Sequence, residues 1–168
     1  MRTRAWTTVG SPLGDLLFGT DGDVLTELLF ERRRGRSDPL FDQVRAGRRA
    51  DDDPVLCRAA EQLAEYFARR RRDFDVPLAP TGSTFQQRVW AALQEIPYGT
   101  TTSYGAIARR LGLPAGASRA VGLANGANPI SIIIPCHRVI GANGSLTGYG
   151  GGLERKRFLL GLEGEALF

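Results

Sequence analysis

The chain is poor in the residues from which metal sites and disulfide scaffolds are built. Its 168 residues include one histidine, His137, and two cysteines, Cys57 and Cys136. One imidazole and two distant thiols make no ligand-spaced zinc cluster, and two cysteines without a framework argue against a disulfide. No apolar run nears the length of a membrane span, and no charged-then-apolar leader opens the sequence. A cytoplasmic protein with no membrane partner is therefore expected. Lysine is scarce too: of 22 basic residues only Lys156 is lysine, and no function is read from that.

What is present is the composition of a soluble globular protein, 42% hydrophobic and 24% charged. The length suits one ordinary domain or two small ones. Net charge is +4, and its placement matters more than its size. Residues 1–79 carry 14 basic and 14 acidic side chains, whereas residues 80–168 carry 8 and 4. A basic half beside a neutral half is a footprint for a polyanion, although charge alone leaves nucleic acid near even odds.

Along the chain, Arg4–Val9, Leu16–Phe18 and Val24–Phe30 read as antiparallel strands joined by Gly- and Asp-containing turns. Residues 31–53 are Arg-, Asp- and Gly-rich, so a long exposed loop is predicted, with Arg32-Arg33-Arg34-Gly35-Arg36 more often solvated than bound to DNA. Asp51-Asp52-Asp53 suits the start of a helix over about Pro54–Arg70, with Leu56, Ala60, Leu63 and Phe67 inward and Cys57 in the core or at its boundary. Val76 to Gly82 reads as a linker. Ser83 and Gln86 then make a capping box for a helix with Phe85, Val89, Ala92 and Ile96 on one stripe. A second helix from about Thr102 and a third over Ala117–Asn125, separated by a Gly-containing break, form a helix-turn-helix pattern. The third helix carries small residues around a single long polar one, Arg119. Short side chains cannot read base edges across a wide groove, but they allow close approach to a narrow one. A tightly packed core helix is the alternative.

The richest stretch is Ile132-Ile133-Ile134-Pro135-Cys136-His137-Arg138-Val139-Ile140. The three isoleucines read as a buried strand that Pro135 ends. A soft nucleophile, a proton carrier and a fixed cation follow directly. A lone cysteine in an apolar run is more often inert core, but an inert core does not need ionisable neighbours, because burying charge is costly. On an extended chain neighbours face opposite ways, so Cys136 and His137 would need a bridging water or a bend at Pro135 to exchange a proton.

Pro135-Cys136-His137-Arg138-Val139 resembles the active-site signature of the O6-alkylguanine-DNA alkyltransferases, also called methylated-DNA–protein-cysteine methyltransferases. The resemblance extends through Phe85-Gln86-Gln87-Arg88-Val89-Trp90, Ile96-Pro97-Tyr98-Gly99, Ser103-Tyr104-Gly105, Arg119-Ala120-Val121-Gly122, Asn128-Pro129-Ile130 and Thr147 to Leu153, about half the chain. It implies an α+β fold: a small N-terminal antiparallel β-sheet and helix domain over 1–79, then a mostly helical, winged-helix-like helix-turn-helix domain over 80–168 that binds DNA and carries the chemistry. It implies irreversible, single-turnover transfer of an alkyl group from O6-alkylguanine to Cys136, after the base is flipped out from the minor groove. O4-alkylthymine stays open as a second substrate.

The resemblance also assigns roles. His137 would take the thiol proton through water, and Glu163 would orient the imidazole. Asn128 would tie the helix-turn-helix to the active segment. Tyr104 and Lys156 would support the departing guanine. Arg119 would fill the vacated stack, with Ser118, Ala120, Tyr104 and Arg138 also on DNA. Val139, Leu146, Tyr149 and Gly150 would line the alkylguanine pocket. No cofactor or metal is implied; some relatives hold a structural zinc for which this chain lacks ligands. The expected partner is double-stranded DNA carrying the lesion, bound by a monomer, with cooperative assembly on DNA left open. A recognition module without transfer and a cysteine hydrolase are the competing readings. Cys136 weighs against the first, and the adjacency of Cys136 and His137 against the second.

Overall fold

Three consecutive strands open the fold, and the reason they pair is visible in their pattern. In the structure, a computed structural model that describes residues 4–31, 38–146, 149 and 151–164, β1 (Arg4–Val9), β2 (Leu16–Asp21) and β3 (Val24–Phe30) form an antiparallel meander. Leu16, Leu17 and Phe18 are all buried although neighbours in a strand face opposite ways. Both faces of the sheet are therefore covered. Helix α1 (Pro39–Arg45) serves one face, where Trp6, Leu17 and Val44 cluster with Leu29 and Phe41. Strand β4 (Arg48–Arg49) then pairs parallel to β1, giving the order β3-β2-β1-β4. Helix α2 (Pro54–Phe67) follows.

The loop expected over 31–53 is thus partly structured. Asp38 caps α1 by accepting from the Leu40 and Phe41 N–H groups, and Pro39 sits at the first helical position. The helix has two apolar anchors, Phe41 and Val44, too few to stand out among arginines. Arg32, Arg33, Arg34, Gly35 and Arg36 lie outside the described residues. In α2, Asp53 is the N-cap, as the acidic run suggested. Its buried face is rotated from the expected one, to Leu56, Ala59, Gln62, Leu63 and Tyr66. Gln62 is buried without penalty because its carbonyl accepts from the Asp75 N–H (3.1 Å). Cys57 faces outward and donates weakly to the Asp51 carbonyl (3.4 Å). The supposed linker is also partly ordered by pairing: the Leu25 N–H donates to the Pro77 carbonyl and the Ala79 N–H to the Leu25 carbonyl, both at 2.9 Å.

The chain divides into two units, Met1–Thr81 with Pro129–Ser131, and Gly82–Asn128 with Ile132–Phe168. An unbroken second domain from residue 80 was the expectation. Pro129–Ser131 departs from it because its backbone pairs with β3: the Leu28 N–H donates to the Pro129 carbonyl (2.9 Å) and the Ser131 N–H to the Leu28 carbonyl (3.0 Å).

In the second unit, α3 (Thr84–Gln94) starts with the capping box of Ser83 and Gln86 and buries Val89, Trp90, Ala92 and Leu93. A two-residue strand, β5 (Thr102–Ser103), leads into α4 (Tyr104–Arg110), and α5 (Ser118–Gly126) follows. Gly112, at φ 68°, takes the left-handed conformation that closes α4, at little cost only for glycine. The Trp90 indole N–H donates to the Ala124 carbonyl (2.8 Å), fixing α5 on α3. Strand β6 (Val139–Ile140) pairs parallel with β5, Thr102 opposite Val139 and Ser103 opposite Ile140. Helix α6 (Leu153–Leu162) closes the described chain. The three isoleucines before Pro135 are buried, but they form a turn rather than a strand, with Ile132 at φ 71°.

Ser103 ends β5 and caps α4, accepting from the Ala106 N–H (3.1 Å). Replacing it with alanine frees that donor beside Tyr104. Ser103→Ala is expected to lower the unfolding free energy by about 1 kcal/mol in urea denaturation, whereas an unchanged midpoint would mean that the cap adds nothing.

Candidate active site

The polypeptide does not run extended through Cys136. Pro135 turns the backbone, and Cys136–Arg138 form a single 3-10 turn whose residues are all buried. The bend at Pro135 named as an alternative is therefore present, and opposite-facing neighbours no longer describe this pair. Asn128, just beyond α5, supports the turn from below. Both hydrogens of its amide are used, one toward the Ile134 carbonyl (2.8 Å) and one toward Cys136 Sγ (3.1 Å). This explains why the isoleucine segment needs no strand partner, since a side chain satisfies the Ile134 carbonyl that a ladder would otherwise hold.

His137 is fully buried. Its Nε2 lies 2.8 Å from Glu163 Oε2, and Glu163 is the C-cap residue of α6. A carboxylate offers only acceptors, so Nε2 carries the proton and Nδ1 presents a lone pair. Among the described residues Nδ1 has no hydrogen-bond partner. Burial holds the imidazole below its ordinary pKa; the Glu163 carboxylate opposes this, and Arg138 and Lys156 reinforce it. His137 is a neutral base.

Arg138 corrects an expectation. It is buried, not open at the surface: its Nε donates to Glu163 Oε1 (2.8 Å), its Nη2 to Glu163 Oε2 (3.0 Å) and its Nη1 to the Ile96 carbonyl (2.8 Å). Its guanidinium also lies 5.6 Å from the centre of the Tyr98 ring. A planar cation with a bidentate carboxylate is a stable buried arrangement, and exposing it would leave Glu163 without its partner.

The Cys136 thiol is 4% exposed, and burial raises its pKa. The Asn128 amide, the Lys156 charge and the Tyr149 hydroxyl pull in the opposite direction but do not reverse it. The free protein therefore holds a neutral thiol, not the standing thiolate that nucleophilic attack requires. Lys156 is buried, and its Nζ donates to the Val139 carbonyl (2.6 Å). Burial lowers its pKa, and interaction with Cys136 raises it. That cation is tied to the turn itself, and one lone pair of the Val139 carbonyl is engaged.

Comparison with known proteins fits this arrangement. Residues 5–80 match the family model described as "6-O-methylguanine DNA methyltransferase, ribonuclease-like domain", and residues 84–165 match that family's "DNA binding domain". A methylated-DNA–protein-cysteine methyltransferase from Mycolicibacterium paratuberculosis is 52% identical, over 94% of this chain and 91% of its own length. Another, from Methanosarcina acetivorans, is 49% identical over 92% and 94%. The crystal structure of the Mycobacterium tuberculosis O6-methylguanine methyltransferase superposes with a TM-score of 0.82 at 51% identity, covering 95% of this chain and 92% of that one. The chain belongs to the methylated-DNA–protein-cysteine methyltransferase family.

The remaining residues that the family resemblance singled out fall in two places. Tyr104 opens α4 directly after the β5–β6 pairing, and its ring lies beside Gly122 of α5. Val139 is buried in β6, while Leu146 and Tyr149 are partly buried. Gly150 lies outside the described residues. Ser118, Arg119 and Ala120 are exposed on the first turn of α5 and do not join the Cys136 cluster. Asn125 was missed. It is buried on α5 and its amide donates to the Cys136 carbonyl (3.4 Å). Its signal was an amide three residues before Asn128 on an otherwise small-residue helix. Among the described residues no group of three or more potential ligands is placed to hold a metal ion, and no helix is long and apolar enough to cross a membrane.

The shifts of His137 and Cys136 each contribute to the pH dependence of stability. The folded pKa of His137 lies below its unfolded value. As pH falls through about 6.5, the unfolded chain gains a proton that the folded one refuses, and stability declines. Cys136 is raised, so its contribution is complete below its unfolded value and fades as pH climbs toward the folded one. Between pH 7.5 and 5.5 the wild type should lose more stability than His137→Gln in paired urea titrations. Equal losses would contradict a neutral His137.

Proposed function

We propose that this chain repairs alkylated duplex DNA by moving the alkyl group from O6 of guanine to Cys136 Sγ. A bond forms between sulfur and the alkyl carbon as the carbon–O6 bond breaks. The thiol proton passes through a bridging water to His137 Nδ1 and is returned to the departing guanine. The products are a thioether and an unmodified base, and each molecule acts once because nothing in the chain reverses a thioether. The observation that carries this reading is the pairing of a thiol 3.1 Å from the Asn128 amide with a neutral histidine backed by Glu163, all within one buried turn.

Double-stranded DNA is the partner this reading requires, and the Mycobacterium tuberculosis relative, 51% identical and with a TM-score of 0.81, has been crystallised in complex with DNA. A stacked guanine hides its O6, so the base must leave the helix, at a cost on the order of a few kcal/mol. Arg119, exposed on the first turn of α5, fills the space it leaves, with Ser118 and Ala120 allowing close approach to the minor groove. Tyr104 donates to the flipped guanine, and Lys156 steadies the turn and the charge that develops there. Val139, Leu146, Tyr149 and Gly150 enclose the base and its alkyl group. A resting neutral thiol suits this chemistry, because a nucleophile used once gains from being protected until the substrate arrives. The protein works as a monomer in the cytoplasm, requires no cofactor, and takes O4-alkylthymine as a second candidate substrate.

Removal of methyl groups from a duplex carrying one O6-methylguanine, followed by nucleoside analysis, should stop at one lesion per protein. Cys136→Ala should still bind that duplex and remove none. Repeated turnover would favour a hydrolase, and binding without removal by the wild type would favour a recognition module.

A further inference from the structure

The face of α5 that carries Arg119 has an apolar centre that the mechanism above does not use. At 3.6 residues per turn, Arg119, Ala120, Leu123, Gly126 and Ala127 share one side of the helix, with Leu123 in the middle. All five are exposed, while Val121, Ala124 and Asn125 form the buried side. Leu123 is 70% exposed, against 43% for Leu153 and 41% for Phe158, the other large hydrophobic side chains left open among the described residues. Ala120, Gly126 and Ala127 beside it are too short to shield it, so a surface that approaches Arg119 closely must also cover Leu123.

The charge of the helical segment that carries it selects the occupant. Residues 82–128 carry Arg88, Arg109, Arg110 and Arg119 against a single acid, Glu95, and Glu95 is paired with Arg110. A partner that tolerates this positive surface and also offers apolar contact is a nucleic acid groove, whose phosphates are anionic and whose sugar walls are not.

We propose that Leu123 is a DNA-contacting residue that packs against the deoxyribose wall of the minor groove one helical turn beyond Arg119, supplying a salt-independent part of duplex affinity. The inference rests on the DNA-repair reading above. Such a contact releases no counterions, so it differs in kind from every arginine contact. It is also blind to sequence, which suits a protein that must inspect all DNA.

The test is the affinity of the full chain for an unmodified duplex over a series of salt concentrations. Leu123→Ala should raise Kd about fivefold by the same factor at every salt, leaving the slope of log Kd against log salt unchanged. Leu123→Gln, which keeps the length but not the apolarity, should weaken binding in the same direction. Both variants should accept an alkyl group from free O6-alkylguanine as the wild type does, because no DNA is involved. Wild-type affinity in either variant, or a changed slope, overturns the proposal. Failure of the wild type itself to take an alkyl group would instead overturn the repair reading, so the two failures are distinct.

Discussion

A single buried carboxylate organises the second unit. Glu163 accepts from the His137 imidazole and from two nitrogens of Arg138, with its side chain fully excluded from solvent. An isolated charge at such depth would be very costly, and so would the guanidinium opposite it. Each makes the other tolerable. Because Glu163 caps α6 and Arg138 also donates to the Ile96 carbonyl beyond α3, the pairing joins three parts of the unit that are distant in sequence. The Cys136 turn lies between them and inherits their rigidity.

The electrostatic consequence is a division of labour. Burial outweighs what Glu163 offers His137, with Arg138 and Lys156 adding smaller opposition, so the carboxylate orients the imidazole without charging it. Burial then decides the protonation state, and the imidazole stays a base. The thiol is governed in the same way: Asn128, Lys156 and Tyr149 favour the thiolate, and desolvation outweighs them. A site of this kind is poised rather than active. Helix α5 links it to the surface, since Asn125 and Asn128 hold the Cys136 turn while Arg119 and Leu123 lie on the opposite side of the same helix.

Much of this was legible in the residues, and the exceptions share a cause. Cys136, His137, Asn128 and Glu163 came from the family resemblance, and the capping box at Ser83 and the N-cap at Asp53 from local chemistry. Local chemistry is what a linear reading sees. Arg138 is placed on DNA only among the roles that the resemblance implies; the fold brings Glu163, 25 residues away, against it. The isoleucine run looked like a strand because β-branched residues favour one. A side chain, Asn128, supplied the hydrogen bond that a strand would have needed, and the backbone was free to turn. Helix α1 was hidden by its surroundings, and Asn125 by its small neighbours. Leu123 looked like one more apolar residue of a helix, and its exposure depends on which face α3 and α4 cover.

The claim on which the site depends is that His137 is a neutral base in the resting protein, protonated on Nε2. As His137 is the only histidine in the chain, its imidazole nitrogens can be followed by NMR without assignment. The account predicts one Nε2–H tautomer at neutral pH that persists below pH 6.5, the ordinary histidine value. A histidine that titrates at or above that value would contradict the account, because Glu163 would then be charging the imidazole; a proton on Nδ1 would contradict it too, because the lone pair would then face Glu163 and not the thiol's proton.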